Sequence, residues 1–112
     1  NFNNVSSARL CTTLENNFGV KVSTVEHLLA AFYIIGIDNA LIEIDNEEVP
    51  IMDGSSKDFI NTFKKIDLVE QSEKRKYLKI TNKIELVDGS RKISIEPNES
   101  SLEVNFQLNY QP

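Results

Sequence analysis

The sequence has no tryptophan, one cysteine (Cys11), one methionine, one histidine (His27), three prolines and four glycines in 112 residues. A single cysteine excludes an internal disulfide and fits a reducing compartment. A single histidine cannot by itself hold a catalytic zinc ion, which takes three protein ligands and an open position. The glycines do not cluster into a phosphate loop, and there is neither a CxxC pair nor a Ser-His-Asp arrangement. No apolar run is long enough to span a bilayer, and no signal-peptide pattern is visible. Cations are outnumbered, with 12 Lys and Arg against 17 Asp and Glu and a net charge of −5. That balance argues against a nucleic-acid surface, which needs clustered Lys and Arg.

What remains is a chain with a 40% hydrophobic fraction, enough for a core of one compact domain or two partial ones. Its most ordered pattern is the stretch Ser23 to Gly54. Ser23 followed by Glu26 has the spacing of a capping box and predicts a helix start. Val25, Leu28, Leu29, Phe32 and Ile35 recur at helical spacing and predict one buried stripe. Ala30, Ala31 and Ile34 make the opposite face apolar as well, which predicts a helix covered on both sides. Gly36 supplies a left-handed stop.

Before this helix, Leu10 to Glu15 and Val20 to Val22 read as short strands around the turn Asn16 to Gly19, with Cys11 on the first strand. After it, Ala40 to Asp45 reads as a strand with Ala40, Ile42 and Ile44 on one face. Asn46 to Glu48 turns the chain, and Val49 to Met52 is extended because Pro50 disfavours helix at the residue before it. Asp53-Gly54 is a turn into a second helix, capped by Ser55 or Ser56, with Phe59, Ile60, Phe63 and Ile66 on its inner side. Gln71 to Lys76 is charged and patternless. Beyond it the period becomes two: Leu78 and Ile80, Ile84 and Leu86, Ile93 and Ile95, with Asp88-Gly89 as a hairpin turn. Leu102, Val104, Phe106, Leu108 and Tyr110 alternate without interruption and predict a strand. The expected architecture is α+β. Residues 1–72 form a partial domain with helices on one face of a mixed or antiparallel sheet, 73–76 a linker, and 77–112 the first strands of a second domain.

Glu26 and His27 stand side by side in the first turn of an otherwise apolar helix. A plain reading makes Glu26 a helix cap and His27 a structural or surface residue. The metalloprotease pattern of two histidines four apart fails, because Ala31 stands at the second position. Cys11 reads as a small buried hydrophobe and Asp53 as a turn former. Asp45, Glu47, Glu48 and Asp53 lack the regular spacing of a calcium loop, and Pro50 interrupts them.

Three blocks in register, TVEHLLAA, GIDN and EVPIMDGSS, together resemble the UDP-3-O-acyl-N-acetylglucosamine deacetylase family, the zinc amidases of lipid A biosynthesis. The resemblance extends weakly back through LCTTL (Leu10 to Leu14). It implies a zinc-dependent hydrolase of a Gram-negative cytoplasm, acting on an acylated UDP-amino sugar and monomeric at full length. In that setting His27 matches a zinc ligand, Glu26 the general base, Leu10 and Cys11 substrate contacts, and Asp53 a residue behind the catalytic centre. A further His and an Asp would complete the zinc site from beyond Pro112, so this chain is expected to be an inactive piece. The net charge of −5 suits a diphosphate substrate poorly, which places the phosphate-binding cations elsewhere too. The rival reading is a non-catalytic α+β module that binds a protein through exposed strand edges.

Overall fold

A computed structural model describes residues 2–109. They fall into two compact units that divide between Lys74 and Arg75. The architecture is α+β, with two helices and two antiparallel sheets.

The first unit opens with a short 3₁₀ turn and then builds a three-stranded antiparallel sheet, β1 (Val5–Ser7), β2 (Thr13–Glu15) and β3 (Lys21–Val22), in that spatial order. The polar first residues gave no sign of β1. The β2–β3 turn is organised by Asn16, whose Oδ1 accepts from the amides of Phe18 and Val20 at 2.9 and 3.1 Å. Gly19 takes the left-handed conformation that closes it (φ 79°). Leu10 and Cys11 lie ahead of β2 rather than on it, because Leu10 is itself left-handed (φ 69°) and breaks the extended run.

Helix α1 (Glu26–Ile35) starts later than the capping-box spacing predicts. Val25 is its N-cap and makes no side-chain cap bond. Ser23 is engaged elsewhere: its amide donates to Glu47 O at 2.8 Å, its carbonyl accepts from Val49 N at 3.0 Å, and its hydroxyl meets Thr13 Oγ1 at 2.9 Å. Strand-like pairing has outcompeted capping. The helix ends at Gly36 (φ 83°), whose N–H reaches Phe32 O and Tyr33 O while Ile37 N also donates to Phe32 O. Helix α2 (Lys57–Phe63) follows, and Lys57 N donates to Ser55 Oγ at 3.2 Å, so Ser55 supports its start.

The core gathers Val25, Leu28 and Val49, with Leu14 and Val22 of the sheet and Phe32, Phe59 and Phe63 of the helices packed on it. Side chains of both helices and of the sheet thus share this one core. The rings of Phe32 and Phe63 stack at 5.1 Å between centroids, joining α1 to α2. Of the predicted stripe of α1, Val25 and Leu28 are buried and Phe32 packs on the core, while Leu29 is exposed; on the opposite face Ala31 is fully buried and Ile34 is exposed. The second face is covered at Ala31 and left open at Ala30 and Ile34.

Ala40 to Asp45 pairs with nothing in a ladder, and Leu41 is 92% exposed. The alternation is present, yet no strand among the described residues offers it an edge. In the second unit β4 (Ile84–Asp88) and β5 (Arg91–Ile95) form a hairpin. Its loop is Gly89-Ser90, one residue later than expected, with Gly89 at φ 59°. Ile84 faces Ile95 and Leu86 faces Ile93 across it, and Glu85 pairs with Lys92 at 2.7 Å. Leu78 and Ile80 join no strand, nor do Leu102 through Leu108, where Phe106 is 79% exposed. Tyr110 lies outside the described residues.

Candidate functional site

Freed from capping, the Glu26 side chain turns to the sheet. Its Oε2 accepts from the Thr12 amide at 3.0 Å, while Thr12 O accepts from Val25 N at 3.5 Å. Two reciprocal bonds thus seat the first turn of α1 on the residues entering β2. Burial pushes the Glu26 carboxyl upward, but hydrogen bonds from its own amide and from Thr12, together with the neighbouring His27 side chain, outweigh it. The net result lies below the ordinary value of 4.5, so the group stays an anion. A glutamate in the first helical turn also faces the positive end of the helix dipole.

His27 follows directly. Its Nδ1 is buried without a hydrogen-bond partner, a condition no other side-chain nitrogen or oxygen shares among the described residues. An unpaired buried polar atom is costly and asks for a partner. The backbone at the same position is fixed from α2: Ser56 Oγ donates to His27 O at 2.9 Å. The sequence expects Ser55 or Ser56 to cap α2, and Ser56 is its N-cap residue although its side chain makes no cap bond. Its actual contact lies 29 residues away in sequence and carries no local signal.

Leu10 and Cys11 sit in the bend next to Thr12. Leu10 is 99% exposed, and Cys11 is half-buried with Sγ 3.8 Å from Thr13 Oγ1. The Thr12 bonds therefore bring this bend to the start of α1. Asp53 is different. Its Oδ1 accepts from Ser55 Oγ at 2.7 Å and Ser55 N at 3.0 Å, which holds its carboxyl below the usual range. That is the geometry of a turn former, and the carboxylate is exposed. An apolar groove of about 800 Å³ in the same unit runs between α1, residues 40–46 and α2, lined by Leu28, Phe32, Ile42 and Phe63 among others; no candidate residue lines it.

No three His, Cys, Asp or Glu side chains gather into a metal-holding group among the described residues. The donor set fits a metal only in part: one imidazole with an unpartnered buried nitrogen, beside one ionised carboxylate.

The family model described as UDP-3-O-acyl N-acetylglycosamine deacetylase (LpxC) matches residues 1–112, the whole chain. The chain belongs to this family. Among curated relatives, the UDP-3-O-acyl-N-acetylglucosamine deacetylase of Shewanella halifaxensis is 42% identical over 106 residues, covering 95% of this chain and 34% of the relative. The protein of the same name from Shewanella oneidensis is 41% identical over 106 residues, with the same coverage. That of Shewanella violacea is 37% identical over 107 residues, covering 96% and 35%. The chain thus spans about a third of the length of the curated relatives it matches.

Proposed function

We propose that this chain contributes one wall of a zinc-dependent deacetylase that hydrolyses the N-acetyl group of UDP-3-O-acyl-N-acetylglucosamine in lipid A biosynthesis. The enzyme would work as a monomer in a Gram-negative cytoplasm. Family membership favours this over a non-catalytic binding module. On this reading residues 1–72 belong to a first α+β domain, 73–76 to a linker, and 77–112 to the opening strands of a second.

The observation that carries the reading is the start of α1. There a carboxylate held ionised by the Thr12 amide stands next to an imidazole whose Nδ1 is buried and unpartnered. His27 would hold one position of the zinc, and a His and an Asp from polypeptide outside residues 1–112 the others. When bound, zinc supplies an acidified water and polarises the amide carbonyl. Glu26 takes a proton from the attacking water at its carboxylate, a general-base task that requires it ionised beforehand. Thr12 keeps that carboxylate charged and aimed. Leu10 and Cys11 line the approach to the reacting amide, and Asp53 shapes the loop behind α1. A protonated histidine from outside this chain serves the leaving amine.

Glu26→Gln and His27→Ala in the full-length polypeptide test the assignment. Glu26→Gln is expected to retain zinc and lose about 10²- to 10⁴-fold in turnover, the range of a lost general base. His27→Ala is expected to lose bound zinc. Near-normal turnover of the first, or full zinc content and activity of the second, would remove these residues from the site.

A further inference from the structure

Thr24 immediately precedes the N-cap of α1, and three features of it do not belong to ordinary helix initiation. It is buried, at 4% exposure. Its backbone is left-handed (φ 59°), a conformation that a β-branched residue rarely adopts. Its hydroxyl donates to Glu48 Oε1 at 2.7 Å, a short bond between residues 24 apart. The flanking backbone repeats the link, through Ser23 N to Glu47 O and Val49 N to Ser23 O.

Helix α1 has no side-chain cap to define where it begins. The direction in which Glu26 and His27 leave the loop is therefore set by the backbone just before them, and Thr24 is the point where that backbone turns. Relaxing its φ to the ordinary negative range would swing the first turn of α1 away from Thr12. Strained backbone held by surrounding structure is characteristic of functional positions. Among the described residues the other non-glycine positions of positive φ are Leu10 and Met52, one a candidate contact and one adjoining Asp53.

We propose that Thr24 and Glu48 form a positioning pair for the Glu26–His27 site: their hydroxyl–carboxylate bond holds the left-handed turn that aims the first residues of α1. The proposal rests on the deacetylase reading. Glu48 is exposed at the edge of the apolar groove, and the contact it makes to Thr24 is this bond.

The test uses the full-length polypeptide with UDP-3-O-acyl-N-acetylglucosamine as probe, and compares Thr24→Val, Thr24→Ser, Glu48→Ala and Glu26→Gln. Rates are normalised to folded protein, which removes a merely structural effect. Thr24→Val and Glu48→Ala are expected to lower kcat about tenfold or more with KM changed by less than about threefold, as misplacement of reacting groups does. Thr24→Ser, which keeps the hydroxyl, is expected to stay within about threefold of the parent kcat. Parent kcat in folded Thr24→Val and Glu48→Ala would overturn the pair. If Thr24→Val fails to fold, Glu48→Ala decides alone, because it removes the same acceptor from an exposed position. Glu26→Gln separates the two levels: an active Glu26→Gln defeats the site reading, whereas an inactive one beside fully active Thr24→Val and Glu48→Ala defeats only the positioning pair.

Discussion

The amide of Thr12 donates to the carboxylate of Glu26 across 3.0 Å, and this bond replaces the helix cap that Glu26 would otherwise serve. A residue that looks self-sufficient within its own helix is instead held from another element.

The bond has a pH signature. The Glu26 carboxyl lies below 4.5 when folded, against its ordinary value when unfolded. Its contribution to stability is thus full above about pH 4.5 and disappears as pH falls through the lower folded value. In metal-free full-length protein, the stability advantage of the parent over Glu26→Gln should shrink on going from pH 6 to pH 3 (roughly one to two units either side of the ordinary carboxylate range). Denaturant titrations at several pH values measure it. An advantage that grows on acidification would show that the carboxylate is not held by Thr12.

Residues 1–112 alone should neither bind zinc tightly nor release acetate from UDP-3-O-acyl-N-acetylglucosamine. The described residues offer one imidazole and no three-ligand group, whereas a catalytic site takes three protein ligands. Metal-dependent acetate release by this piece would contradict the proposed division of the site.

Leu28 is 7% exposed and touches the centre of the core. Leu28→Ala should destabilise the full-length protein by about 2–5 kcal/mol, the usual cost of the removed methyl and methylene groups plus the cavity left behind. A shift of the denaturation midpoint without a change in slope would report it. A loss below about 0.5 kcal/mol, the scale of surface substitutions, would mean that α1 is not seated as described.

Gly36 closes α1 at φ 83°. Gly36→Ala should cost about 1 kcal/mol or more, since a Cβ is disfavoured there and three amide–carbonyl contacts depend on the turn. Thermal melts of the two proteins compare it directly.

Much of this was legible in the sequence, and the failures share one cause. The α1 stop at Gly36, the second helix, the Asn16–Gly19 turn and the β4–β5 hairpin are local, and local chemistry announced each. Capping by Ser23 was also a local inference, but the partners it lost to, Glu47 and Val49, lie more than twenty residues away. Ala40 to Asp45 and Leu102 to Leu108 show that alternation records which side of a strand is apolar, not whether a neighbouring strand is there to receive it. At the site, Glu26 and His27 stood out as the only ionisable pair on an apolar helix. Thr12, Ser56 and the Thr24–Glu48 bond did not, because each acts through a contact that no spacing rule encodes.

The bare aliphatic and aromatic side chains from Leu102 to Leu108 carry a practical consequence. A row of uncovered apolar side chains at alternate positions is a surface on which copies of the chain can associate, so residues 1–112 on their own should aggregate more readily as concentration rises.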